Sequence, residues 1–251
     1  MPPPPPPGGL TPPPGYVAYG GNGNARGPVQ LIGKLTTWVV RLLVVVLVLQ
    51  ALGLILQMTL RGSALEVKDG NLTLSDFDGK IGLFVAVTGI SGAVGLALLV
   101  VQIIWTARMA KNLGALGRQG QSFGVGWTIA INILGGCTLG ILPFFMWREL
   151  WKGSDPDSPA FDPDWKQRPN GQIVVAHLVA TLTAVVVGFG LGAAGAFSII
   201  RTNSSNDVAD NLSGRFGLVI AVGIIQLAVS IIFIQLVRQL AARHMKAIGE
   251  A

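Results

Sequence analysis

Four stretches of this chain, residues 42–60, 81–105, 173–200 and 216–237, contain no Asp, Glu, Lys or Arg. An apolar run of roughly 18 or more residues is long enough to cross about 30 Å of hydrocarbon as a helix. Lipid offers the backbone no hydrogen-bond partners, so a run of this length has to pair its own N–H and C=O groups along a helix. The chain therefore reads as an all-α polytopic membrane helix bundle, with four spanning helices at about residues 35–60, 81–105, 172–200 and 216–240. Composition agrees: 51% of the 251 residues are hydrophobic and 12% charged, where a soluble domain carries about 25% charged residues. The first block is too long for the apolar region of a cleaved signal and follows some thirty polar residues, so it reads as an uncleaved anchor.

Those leading residues, MPPPPPPGGLTPPPGYVAYGGNGNARG and the few that follow, cannot bury a core. Residues 1–30 are expected to form a disordered Pro/Gly-rich tail with polyproline II character, and residues 31–251 the membrane bundle. Such a tail is either a solvated spacer or a strip that docks in the aromatic groove of a cytoplasmic protein partner, with Tyr16 and Tyr19 adding contact area. The net charge of +6 would suggest nucleic acid in a soluble protein. Here the basic residues sit beside apolar blocks, where they orient helices, so the bilayer is the expected partner and nucleic acid is not. The single Cys137 rules out an internal disulfide.

A further apolar stretch, GWTIAINILGGCTLGILPFFMW (126–147), is long enough to be a fifth helix. The distribution of basic residues separates two threadings, because Lys and Arg accumulate on the cytoplasmic side. With five spans and a cytoplasmic tail, 8 of the 18 basic residues lie inside and 10 outside. If residues 127–147 enter and leave on one face, the counts become 13 inside and 5 outside. All six tryptophans then gather at the cytoplasmic interface, with Trp127 and Trp147 anchoring the two ends of the dipping segment. Asn132, Gly135-Gly136 and Pro143 also interrupt it as a straight helix. The expectation is a re-entrant or broken segment turning at Gly135-Gly136, close to the small residues of the helix over 172–200. A kinked fifth span is the competing reading. In the four-span threading both termini are cytoplasmic and the compartment is the cell (plasma) membrane.

Helix packing is expected at small residues four apart: Gly89 with Ala93, and the row Ala184, Gly188, Gly192 and Ala196. At the cytoplasmic face, Met109, Leu113 and Leu116 form one stripe with Arg108, Lys111 and Arg118 elsewhere, the pattern of a helix lying along a membrane surface. The candidate interface comprises Arg108, Lys111, Asn112, Trp127, Pro143, Trp147, Arg148, Glu149 and Trp151.

The run W-x-x-R-x-x-x-N-L-G (Trp105, Arg108, Asn112, Leu113, Gly114), then Gly126-Trp127, then P-x-x-x-x-R-E-x-W-x-x-S (Pro143, Arg148, Glu149, Trp151, Ser154) and a later Trp165 resembles the bacterial multi-pass membrane proteins of the domain of unknown function 4328 family. The specific part of the likeness spans residues 100–168. The chain departs from it where a Pro-x-x-Asn is expected and Gly136-Cys137-Thr138-Leu139 stands instead. The resemblance implies a class of membrane protein and no reaction.

Neither a catalytic set nor a cofactor is indicated. Asp155, Asp157, Asp162 and Asp164 lack the glycine turn and distal glutamate of a calcium loop and read as a solvated loop. His177 and His244 lie far apart, with no carboxylate at helical spacing, and give a weak metal or relay case. The expected function is a non-enzymatic scaffold or regulatory protein that presents a basic, Trp-rich cytoplasmic surface and a Pro-rich tail. A small transporter or channel using the dipping segment is the alternative, and a membrane-embedded enzyme ranks third.

Overall fold

The computed structural model describes residues 16–17, 28–199 and 205–250, with side chains described except at 16–17, 74, 189–199, 205–216 and 218–219. Most of the expected tail, residues 1–15 and 18–27, lies outside the described residues. Within it Tyr16–Val17 (β1) pairs antiparallel with Val29–Gln30 (β2), Tyr16 opposite Gln30. Val29 and Ile32 are fully buried, so the folded body begins before the expected boundary at residue 31. The helices are α1 (Gly33–Lys68), α2 (Leu74–Ala115), α3 (Val125–Leu134), α4 (Ile141–Gly153), α5 (Gln172–Ile199) and α6 (Ser205–Ile248).

Three of these are long and apolar enough to cross a membrane, over Gly33–Lys68, Ser75–Ala115 and Ile220–Ile248, and Gln172–Gly188 is a shorter apolar helix within the residues whose side chains are described. Their outward faces are aliphatic: Val48, Ile55, Leu96, Val100 and Val186 are all more than half exposed. In water such faces would be hidden, whereas in lipid they cost nothing. α1 packs between α2 and α6, α6 also carries α5, and α3 lies against α2.

The helices outrun their apolar blocks. At about 1.5 Å per residue, the 36 residues of α1 and the 42 of α2 greatly exceed the ~30 Å hydrocarbon thickness. The connection expected over residues 61–80 is therefore corrected to a short turn over 69–73. The weak helix formers Asp69, Asn71 and Thr73 fall in the turn itself, and sequence polarity marks the end of the membrane, not the end of the helix. Gly70 (φ 74°) reverses the chain after α1, and Thr73 caps α2, its hydroxyl accepting from the Asp76 N–H at 3.2 Å.

The glycine expectations are also corrected. Gly89 and Ala93 face outward, and a Cβ added at Gly89 or Gly188 would meet nothing within 4 Å. Gly192 and Ala196 lie outside the residues whose side chains are described, while Ala184 is buried. The close helix contact in this part of the bundle is instead at Gly223 of α6, where a Cβ would come within 2.5 Å of the Leu54 side chain of α1. Regular spacing of small residues identifies a smooth face without saying whether protein or lipid covers it.

The densest packing is at one end of the bundle, around Trp105, Met109, Leu113, Trp147, Leu236 and Leu240. The stripe Met109, Leu113 and Leu116 is buried there. It faces protein and not a membrane surface, because α2 runs on as one helix to Ala115 and residues of α4 and α6 pack over it. Gly117 (φ 74°) ends α2 with the Phe161 ring 2.4 Å from where a Cβ would stand. Gly117→Ala is expected to lower stability by about 2–3 kcal/mol through overpacking and left-handed strain. Gly126→Ala, in open space on a helix, should be neutral or stabilising by up to ~1 kcal/mol. Thermal unfolding in detergent compares the two.

Candidate functional site

Residues 125–153 double back on themselves. α3 is followed by a single 3-10 turn, Gly135–Thr138, and then by Leu139 (φ 53°) and Gly140 (φ 82°) in the left-handed region before α4 begins. Two consecutive left-handed residues reverse the chain; for Leu139 this costs about 1–2 kcal/mol. The arms are antiparallel: a Cβ on Gly135 would strike Pro143 Cγ at 2.7 Å, and Glu149 near the end of α4 accepts from the Ser122 and Phe123 N–H groups ahead of α3, at 3.1 and 3.0 Å. Glu149 thereby answers two backbone donors just before a helix start, where negative charge is favoured. Pro143 falls in the first turn of α4, where its missing N–H costs nothing.

Asn132, in the last part of α3, holds the hairpin to α2. Its Oδ1 accepts from Gln102 Nε2 at 2.7 Å, and its Nδ2 donates to Thr106 Oγ1 at 2.9 Å and to the Thr128 carbonyl at 2.7 Å. The tip rests on α5, where a Cβ on Gly140 would meet Thr181 Cγ2 at 2.9 Å. The hairpin thus touches α5 one turn short of Ala184. Between hairpin, α2, α5 and α6 lies a cavity of about 340 Å³ whose walls include Gln102, Asn132, Gly136, His177 and Thr181. His177 packs on Phe233, ring centroids 5.0 Å apart. Thr181 Oγ1 is buried with no hydrogen-bond partner among the described residues.

Beyond the hairpin's open end is a polar cap. Asn112 is fully buried and reads the backbone of Gln30 like a strand partner: its Oδ1 accepts from the Gln30 N–H and its Nδ2 donates to the Gln30 carbonyl, both at 2.8 Å. Those two bonds fix the amide's orientation, so the 3.1 Å contact from Asn112 Nδ2 to His244 Nε2 makes that nitrogen an acceptor. The proton of His244 then sits on Nδ1 and is donated to Ser154 Oγ at 2.7 Å. The network requires a neutral imidazole, since a proton on Nε2 would point at an amide donor.

Around it, Arg118, only 3% exposed, donates to the carbonyls of Gly153, Pro159 and Ser158 at 3.1, 2.6 and 3.2 Å. Glu250 accepts from the Ile32 and Gly33 N–H groups, both at 2.8 Å, capping α1 from the far end of the chain. The aspartates of the 154–164 loop are engaged internally: Asp155 pairs with Arg243 at 2.9 Å, and Asp162 with Arg168 at 3.1 Å. The Ser158 hydroxyl, then the Asp164 N–H and Arg168, hold the Asp162 carboxyl below its usual pKa. Among the described residues no three His, Cys, Asp or Glu side chains converge on a common point.

Several candidate interface residues are therefore structural. Asn112 and Trp147 are buried, and Trp147 lies 6.1 Å from Trp105 and 5.8 Å from Phe233 between ring centroids, so it does not anchor the hairpin at a surface. Trp105 and Trp165 are buried too, each spending its indole N–H internally, on Thr36 Oγ1 and the Gln119 carbonyl, both at 3.0 Å. Arg108 donates to the Leu31 carbonyl at 3.1 Å, Arg148 to Asn170 Oδ1 at 2.7 Å, and Pro143 faces Gly135. Trp151 lies under the Arg243 guanidinium at 5.2 Å. Lys111 and Trp127 remain exposed. Sequence reasoning missed Glu250 altogether and did not find the roles of His244, Arg118 and Ser154, because their partners are 35 to 218 positions away and leave no local spacing signal.

Asn112→Ala would remove the amide's bonds to the Gln30 N–H and C=O and leave His244 Nε2 without this donor. A loss of about 3 kcal/mol is expected, at roughly 1–3 kcal/mol per buried unpaired group, together with faster amide exchange at Gln30. Unchanged exchange there would show that the amide does not hold the N-terminal segment.

Comparison with curated proteins finds no match, and neither does comparison with solved structures. A family model, described as a domain of unknown function (DUF4328), matches residues 68–242, from the end of α1 through the hairpin to the last part of α6, taking in Asn112, Arg118 and Ser154 of the cap. That match takes in well over half of the chain, and the protein belongs to the DUF4328 family.

Proposed function

We propose that this protein is a multi-pass, non-enzymatic scaffold or regulatory protein of the cell membrane, with four spanning helices, a re-entrant hairpin (α3–α4), and both termini on the cytoplasmic side. α5, 28 residues long, serves as the fourth span. The excess of basic residues that this threading places inside supports the orientation, and the doubled-back geometry of residues 125–153 supports re-entry. Irregular backbone at membrane depth is tolerated where protein surrounds it, and α2, α5 and α6 surround this turn.

The observation that carries the scaffold reading is the pairing of Asn112 with Gln30. It fixes the base of the Pro-rich segment to the cap, so that a tail some thirty residues long leaves from one defined place. A polyproline segment presented this way suits a cytoplasmic partner with an aromatic groove. In-cell crosslinking of the full chain and of a chain lacking residues 1–27 should recover different protein partners. Identical recovery would remove the tail from the proposed function.

A second reading, a small transporter or channel, draws on the cavity where His177 and the unpaired Thr181 hydroxyl face the hairpin. Solute flux in proteoliposomes that Gly135→Leu abolishes without unfolding the protein would favour it.

A further inference from the structure

At the open end of the hairpin, between the segment before α3, the last turns of α4 and the Trp165–Gln167 turn, is a pocket of about 330 Å³. Three cationic side chains line it. Arg148 and Lys152 stand one turn apart on α4 and so share a face, and Lys166 reaches in from the Trp165–Gln167 turn. Among the described residues none of the three meets a carboxylate. Arg148 Nε binds Asn170 Oδ1 at 2.7 Å, Lys152 Nζ binds the Lys166 carbonyl at 2.7 Å, and Lys166 Nζ binds the Gly120 carbonyl and lies 3.4 Å from Ser122 Oγ.

The acidic residues nearby are otherwise committed. Asp155 and Asp162 pair with Arg243 and Arg168. Glu149, the carboxylate in the pocket wall, accepts from the Ser122 and Phe123 N–H groups. Lys152 is also almost entirely buried, and burial, then the neighbouring Arg148 charge, holds its pKa below the usual lysine value. Three cations against the single Glu149 carboxylate leave this partly dehydrated pocket with an excess of positive charge, and an anion placed among them would relieve the repulsion.

The pocket is amphipathic along α4. Phe145, 41% exposed, lies about one turn closer to the hairpin tip than Arg148, and Phe123 lies on the opposite wall. Phe145 thus lies on the tip side of the cations, while Phe123 sits at the open end, where its N–H bonds Glu149. We propose that this pocket binds the phosphate of an anionic phospholipid, with Arg148, Lys152 and Lys166 around the headgroup and Phe145 against the first acyl segment. A basic pocket between helices at the cytoplasmic interface suits an anionic headgroup; the apolar mouth distinguishes a lipid from a free phosphate. The inference rests on the proposed placement of the cap at the membrane face.

The test is lipid retention by the full chain in detergent micelles, read by native mass spectrometry with phosphatidylglycerol and phosphatidylcholine offered in equal amounts. Micelles make the result independent of threading, so a failure here overturns the pocket and leaves the topology standing. Wild type should retain phosphatidylglycerol preferentially. The double variant Arg148→Gln/Lys166→Gln, verified to melt like wild type, should lose at least about tenfold in retention, as each basic residue near an anionic surface contributes roughly fivefold. Arg148→Glu serves if the double variant fails to fold, and Arg41→Gln, outside the pocket, should behave as wild type. Equal retention of the two lipids, or full retention by either pocket variant, would overturn the proposal. Displacement of the lipid by millimolar inorganic phosphate as effectively as by soluble short-chain phosphatidylglycerol would assign the site to free anions and overturn the lipid assignment.

Discussion

Asn112, His244 and Ser154 form one buried row of side-chain hydrogen bonds, and the closed end of the molecule depends on it. Asn112 comes from α2, His244 from α6 and Ser154 from the end of α4, while the strand pair at Gln30 brings in the N-terminal segment. The row has one self-consistent proton arrangement, with the imidazole neutral. Because an unpaired polar group in such a place costs roughly 1–3 kcal/mol, each member constrains where the others stand. Arg118 and Glu250 extend the same logic, using side chains to answer backbone groups that no regular element reaches.

The hairpin is held by a second set of contacts. A turn of left-handed residues at the tip leaves backbone groups without helical partners, so the arms are held against protein. Asn132 does this on the α2 side, Glu149 closes the open end, and the close fit of Gly135 to Pro143 and of Gly140 to Thr181 sets the spacing. The hairpin, the cap and the cationic pocket at their junction are therefore one construction, and most of it lies inside the part of the chain that defines the family.

The long apolar blocks were legible because lipid imposes a length and a purity that sequence displays directly. The break in residues 127–147 was legible for a related reason: Asn132, Gly135-Gly136 and Pro143 are poor choices for a straight helix in lipid. Trp147 and the Met109–Leu116 stripe were read as surface features because an amphipathic helix end looks the same whether its apolar side meets lipid or protein. Gly89 and Gly188 failed in the opposite sense, smooth faces left uncovered by the described residues of this chain. His244 and Glu250 were illegible because their meaning comes from partners at the other end of the chain, and pairing at such separation has no period.

The central claim is that residues 125–153 leave and return on the face that carries the cap. In a Cys137→Ser background, single cysteines at Gln119 and Asp157, both exposed, flank the hairpin on either side. With a membrane-impermeant thiol reagent on intact cells, neither should label, and both should label once the membrane is opened. Labelling of one position and not the other in intact cells would place them on opposite faces and contradict the account.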